Sequence, residues 1–221
     1  MVAEAKKRDI PTLIDGAQAL PHMRVDVQSL NCDFYCISGH KMFAPTGIGV
    51  LYGRKDWLNA MPPYHGGGDM IKRVTFEQTL YNEAPSRFEA GTPNIVGVIG
   101  LGATIDYLQS IDFEAAQIQE QRLLTLATEG LSTIDGLRII GTASHKSSVV
   151  SFAIEGVHPH DLGTMLDHHG IAIRTGHHCT MPVMDFFGVP GTSRASMAFY
   201  NTEAEVESLI QATQESIKIL R

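Results

Sequence analysis

Thr12-Leu13-Ile14-Asp15-Gly16-Ala17-Gln18 decides how the chain is read. A short apolar run closed by Asp-Gly suits a strand buried on both faces, ending at a turn. The segments 33–38 and 47–52 are two further short strands, separated by Gly39-His40-Lys41 and a Pro45-Thr46-Gly47 turn. Strands of this kind need helices over both faces, so the fold class is α/β. Asp15 then stands at the carboxyl edge of a sheet, where open α/β folds bind ligands. The plainer alternative is a turn or cap aspartate, because Asp-Gly is a common turn pair.

Outward from this core, Pro62-Pro63 and Gly66-Gly67-Gly68 mark a long excursion between residues 61 and 88, with a hairpin over 70–80. Helices are expected over 94–110 and 112–134, the second followed by Gly136. The remainder alternates: strand 149–154, helix 159–169, strand 171–174, a loop to about Gly191, strand 193–199 and a last helix. Thr202 and Glu205 form a capping box for that helix, and Val206, Leu209, Ile210, Thr213 and Ile217 line one face.

The 221 residues are 43% hydrophobic and 19% charged, the make-up of a globular chain with its own core. With 24 acidic and 17 basic side chains the net charge is −7, which gives no footprint for nucleic acid. No run approaches the roughly 18 apolar residues of a membrane span, and the first eight residues lack the apolar core of a signal peptide. A cytoplasmic location is expected. Cys32, Cys36 and Cys179 are odd in number and lack paired metal spacing, which fits a reducing compartment.

Ser38-Gly39-His40-Lys41 gathers a hydroxyl, a flexible backbone, an imidazole and an amine on one turn, a combination that suits a phosphate. Most lysines are merely solvated, but a partly desolvated amine can bond covalently to a carbonyl cofactor. Arg174-Thr175-Gly176-His177-His178-Cys179-Thr180-Met181-Pro182 sets a thiol in a loop beside two imidazoles and an arginine. Cationic neighbours favour the thiolate form of a cysteine, whereas an isolated cysteine is usually an inert small hydrophobe. Cys32 and Cys36 lie four apart on a strand-like segment and are expected to point the same way into the core. A metal site from His158, His160, His168, His169, His177, His178 and Cys179 is a second hypothesis. No pair has clear ligand spacing, and adjacent His168 and His169 diverge on a helix.

Ile14-Asp15-Gly16-Ala17-Gln18 followed by Ser38-Gly39-His40-Lys41 resembles the cofactor signature of class V, fold-type I pyridoxal-phosphate (PLP) enzymes. The resemblance implies that Lys41 carries the cofactor, Asp15 pairs with its pyridine nitrogen, Gln18 meets its ring hydroxyl, and Ser38 and His40 hold its phosphate. Arg87-Phe88-Glu89-Ala90-Gly91-Thr92-Pro93-Asn94 is also similar to this family, and implies that Thr92 reaches the phosphate of a neighbouring subunit in a homodimer. Read without the resemblance, Thr92 before Pro93 is a helix cap. The Cys179 segment is similar to the persulfide loop of SUF-type cysteine desulfurases, as is Gly66-Gly67-Gly68-Asp69-Met70-Ile71. Arg194 matches the clamp for a substrate α-carboxylate; Arg174 and Asn201 belong to the same implied pocket.

By this resemblance residues 1–109 form the C-terminal part of a large PLP-binding domain and residues 110–221 a smaller α/β domain carrying the Cys179 loop. The implied activity converts L-cysteine to L-alanine, leaving a persulfide on Cys179 that passes to a SUF acceptor protein for iron-sulfur cluster assembly. A selenocysteine lyase acting on L-selenocysteine, another class V aminotransferase-like enzyme, or a non-catalytic interaction fragment are the alternatives. A complete member of the family carries about as much chain again before the Asp15 strand.

Overall fold

The computed structural model describes all 221 residues, which divide into two compact units, Met1–Phe113 and Glu114–Arg221. In the first unit, helix α1 (Val2–Lys6) leads into strand β1 (Leu13–Asp15). A crossover containing helix α2 (Val27–Leu30) returns the chain to strand β2 (Phe34–Ser38), which pairs parallel to β1 with Asp15 opposite Cys36. The Asp26 carboxylate caps α2 by accepting from the Gln28 and Ser29 amides. Strand β3 (Gly49–Gly53) then runs antiparallel to β2, giving the order β1-β2-β3.

This arrangement gives the sheet two unlike rims. At the carboxyl ends of β1 and β2 stand Asp15 and Ser38. At the opposite rim, Asp33 accepts from the Thr12 amide (2.8 Å) and from Trp57 Nε1 (3.1 Å), with Arg54 Nη1 at 3.8 Å. The Thr12 amide, chiefly, holds the Asp33 carboxyl below the usual carboxylate range, against its burial.

The reading of β1 as enclosed on both faces is corrected: Leu13 is 60% exposed. As a terminal strand of its sheet, β1 has a neighbour on one side only. Cys32 is buried but precedes β2, while Cys36 lies half-buried within it.

Helix α3 (Lys55–Ala60) opens the excursion, which carries the hairpin β4 (Ile71–Val74) and β5 (Thr79–Tyr81). Arg87 fastens it, donating to the carbonyls of Asn59, Met61 and Asn82. Helix α4 (Ile95–Ser110) is capped by Asn94, whose side chain accepts from the Gly97 amide and donates to the Gly47 carbonyl. Thr92 is therefore not the helix cap. Leu101 and Leu108 of α4 pack with Met42 and Ala44, joined by Ile111 and Phe113.

All but the first residue of α5 (Phe113–Ser132) belongs to the second unit, where its buried Leu123, Leu124, Ala127 and Leu131 face a four-stranded antiparallel sheet. Its elements are β6 (Leu137–Ile140), β7 (Val149–Ile154), α6 (Pro159–His168), β8 (Arg174–Gly176), α7 (Met181–Phe187), β9 (Thr192–Ser196) and α8 (Glu203–Leu220), with sheet order β6-β7-β9-β8. Along β7, Val150, Phe152 and Ile154 are buried and alternate with partly exposed neighbours, as a half-buried strand requires.

Two expectations shift here. The strand foreseen over 171–174 forms at 174–176, since Ile171 and Ile173 pack on the core while ladder bonding to β9 begins at Arg174. The loop foreseen up to Gly191 contains α7, which ends at Gly188 in the left-handed conformation. Arg138 Nη2 of β6 donates to the Phe187 carbonyl at 2.8 Å, tying the end of α7 to the sheet.

The capping box of α8 is present in both directions between Thr202 and Glu205. Thr202→Ala should lower stability by about 1 kcal/mol, the usual worth of such a cap, read as a lower urea midpoint at unchanged slope. No helix of the chain is long and apolar enough to cross a membrane.

Candidate active site

In the first unit the candidate residues gather at the carboxyl rim of β1 and β2. Asp15 ends β1, its Oδ1 accepting from the Ala17 amide (3.0 Å) and leaving the other oxygen available to a ligand. Gln18 is exposed in the turn that follows. Gly16 is obligatory because a Cβ there would lie 2.0 Å from the buried Tyr35 ring. Burial, chiefly, raises the Tyr35 phenol above its ordinary pKa, with the nearby Cys32 and Asp15 adding to the shift.

Ser38 ends β2 and its Oγ lies 3.2 Å from His40 Nδ1, so the two side chains stand together on the turn. A single 3₁₀ turn, Gly39–Met42, follows at once and is closed by Phe43 in the left-handed conformation. A Cβ at position 39 would meet the Ile48 carbonyl oxygen at 2.6 Å, so only glycine lets the turn sit against β3. Met42 points into the core while His40 and Lys41 are exposed. Thr92 is exposed in the loop before α4.

The residues fit PLP by the chemistry of the donor set. One rim offers a carboxylate for a pyridinium nitrogen, an amide for a ring hydroxyl, a hydroxyl and an imidazole for a phosphate, and an amine for a carbonyl.

In the second unit, Cys179 is exposed in a turn between β8 and α7, and Arg174 Nη2 lies 3.6 Å from its Sγ. His178 and Cys179 both have positive φ, 53° and 64°. Two successive non-glycine residues in this region cost on the order of 1 kcal/mol each and persist only where their surroundings hold them.

Arg174 and Arg194 are direct cross-strand partners on β8 and β9. Burial and then the Arg174 charge lower the Arg194 pKa, and Arg194 Nε is buried without a hydrogen-bond partner. Like charges directly opposite are unfavourable in a sheet, and an anion bound between them would relieve the repulsion. Asn201 uses its amide within the turn before α8: Oδ1 accepts from the Ala198 amide (2.8 Å) and Nδ2 donates to Glu205 (3.2 Å). Asn201 thus shapes the turn between β9 and α8. No three or more His, Cys, Asp or Glu side chains converge in a metal-binding cluster.

His178 has a larger structural part than the sequence indicates. Its Nε2 lies 2.8 Å from Thr192 Oγ1 and 3.1 Å from the Thr192 carbonyl oxygen. The adjacent histidine pair in the sequence gave no sign of which ring would turn inward.

Comparison with known proteins places the chain in a family. The aminotransferase class-V family matches residues 1–209. A probable cysteine desulfurase of Xylella fastidiosa strain 9a5c is 51% identical over 217 residues, covering 98% of this chain and 52% of the relative. A cysteine desulfurase of Serratia proteamaculans is 50% identical over 221 residues, covering all of this chain and 54% of the relative. The solved structure of an Escherichia coli cysteine desulfurase in its S-sulfonic acid form superposes with a TM-score of 0.95 at 41% identity, covering all of this chain and 55% of that one. The chain spans about half the length of the curated relatives it matches. With a donor set that fits the cofactor on one sheet rim and the family match running through both units, the chain belongs to the class-V aminotransferase family of pyridoxal-phosphate enzymes.

Proposed function

We propose that the protein of which these residues form part is a SUF-type cysteine desulfurase. The observation that carries the reading is the exposed Cys179 thiol, held 3.6 Å from a guanidinium on a turn in left-handed conformation. Bound PLP would supply an electron sink for the bonds broken at the substrate Cα. Lys41 would hold it covalently and, once released, move the α-proton at Nζ. Asp15 would keep the ring nitrogen protonated, Gln18 would meet the ring hydroxyl, and Ser38 with His40 would bind the phosphate. Thr92 would reach the phosphate of a second subunit, which makes the assembly a homodimer.

Arg194, flanked by Arg174, would take the L-cysteine carboxylate, since a bidentate anion satisfies the unpartnered Nε of its guanidinium and relieves the repulsion between the two charges. Cys179 Sγ would then attack the substrate sulfur. A sulfur–sulfur bond forms, the Cβ–S bond breaks with its pair left on carbon, and protonation there gives L-alanine. The persulfide on Cys179 would go to a SUF acceptor protein for iron-sulfur cluster assembly.

The test joins this chain with the upstream half of the Xylella relative, as a second polypeptide, and PLP. We expect yellow protein, alanine from L-cysteine, and a persulfide on Cys179 by mass spectrometry. Without that partner, the open side of β1 and the exposed Leu13 should leave cofactor binding weak. Alanine formation undiminished in Cys179→Ser would instead favour a selenocysteine lyase or aminotransferase. A colourless pair that still captured the acceptor would favour an interaction module.

A further inference from the structure

We propose that His178 is a positioning residue: by bonding to Thr192 on β9, its imidazole anchors the Cys179 turn and keeps Sγ beside Arg174. The inference deepens the desulfurase reading and takes its functional meaning from it, but its physical basis lies wholly in the second unit.

Three observations support it. First, His178 and Cys179 are successive left-handed residues, a conformation that relaxes unless a side chain fixes it. Second, the fixing contact exists: His178 Nε2 reaches both Oγ1 and the carbonyl oxygen of Thr192, a residue 1% exposed at the start of β9. Third, beyond Cys179 the turn is restrained by a helix whose own end is tied to β6 through Arg138 and the Phe187 carbonyl. The His178 contact supplies the corresponding restraint on the near side.

The surroundings of the ring favour its neutral form. With Nε2–H as the donor to the Thr192 carbonyl, Nδ1 is left as a buried atom without a partner. Protonation would put a second N–H there with no acceptor. It would also add a charge facing Arg194 on β9, Arg174 on β8 and His177 in the turn itself. Burial first, then Arg194, with Arg174 and His177 behind, lower the His178 pKa below its usual 6.5, and only the bond to Thr192 opposes them. Above the ordinary imidazole value the anchored state is fully stable; as the pH falls below it, the released ring takes a proton that the anchored ring refuses, and the anchor weakens until the depressed value is passed.

The test is hydrogen–deuterium exchange of the 177–184 segment in the 221-residue chain, as protection factors corrected for intrinsic rate, with no cofactor or substrate present. The Thr180 amide, bonded to the His177 carbonyl, reports on the turn. His178→Ala should lower protection about five- to tenfold at neutral pH, the worth of one lost buried hydrogen bond. His178→Gln places an amide donor where Nε2 stood; it should recover most of that protection and lose the decline that the native chain shows on acidification. Thr192→Val, which removes the hydroxyl from the other side, should lower protection without touching the turn's own sequence. Protection in His178→Ala within twofold of native, or a His178→Gln profile that declines with acid as the native one does, would overturn the proposal. In the reconstituted enzyme, His178→Ala should slow persulfide formation while His178→Gln largely restores it. If the exchange results hold but no persulfide forms even on native protein, the desulfurase reading has failed and the anchor has not.

Discussion

Lys41→Ala is expected to abolish covalent cofactor attachment and, with it, alanine production by the reconstituted protein. The visible absorbance of the bound cofactor should vanish, and borohydride reduction should leave no adduct. Position decides this. Lys41 lies on the turn that follows β2 directly, at the rim where β1 delivers Asp15, and the exposed side chain is free to reach a ligand held there. Lys55 cannot substitute for it. β3 runs antiparallel, so Gly53 pairs with Phe34 at the start of β2 and Lys55 emerges at the far rim. Lys72 lies on the β4 hairpin. Loss of proton transfer alone removes about 10²- to 10⁴-fold in rate, before the loss of covalent attachment is added. An adduct on Lys55 or Lys72 in native protein would show that the rim has been misassigned.

Cys179→Ser should give the second largest effect and a different pattern. Cofactor colour and its response to L-cysteine should survive, because Cys179 belongs to the second unit and takes no part in holding PLP. Persulfide formation and sulfur transfer should stop. A serine hydroxyl at pH 7 is a weak nucleophile towards sulfur, and the side chain in contact with position 179 is no base: Arg174 offers only donors, and the neighbouring His178 ring is committed to Thr192. The other two thiols are poorly placed, Cys32 being buried and Cys36 half-buried within β2. Persulfide on either, found by peptide mass spectrometry, would overturn the assignment.

The place of Asp15 and Ser38 at the candidate rim was legible from the chain. Asp15 and Ser38 each close a short apolar run, and a residue that closes a strand must lie at a sheet rim whatever the rest of the fold does. The capping box at Thr202 and the alternating burial of β7 were legible for the same reason, since both are set by neighbours a few residues apart. What escaped depends on distant partners. α7 carries a proline near its start and two adjacent phenylalanines, so no apolar periodicity marks it, and its end is fixed by Arg138 from far upstream. The His178 contact spans fourteen residues, joining a turn to a strand whose register no local pattern specifies. The exposure of Leu13 belongs to the same class: the run reads as buried, but whether a second strand lies beyond β1 is not written in the run itself.

The two rims of the first sheet also divide the tolerance of this unit to change. Asp33 gathers Thr12, Arg54 and Trp57 at one end of strands whose other end presents Asp15 and Ser38. Substitutions around Asp33 act on whether the sheet holds together, through a buried carboxylate left without its donors. Substitutions of the exposed Asp15 and Gln18 side chains would act on what the rim offers a ligand, with little packing at stake, whereas Gly16 between them is a packing position. A stability screen and an activity screen over the same strands should therefore return complementary maps, and a graft that replaced the chemistry at one rim could keep the scaffold by leaving the other untouched.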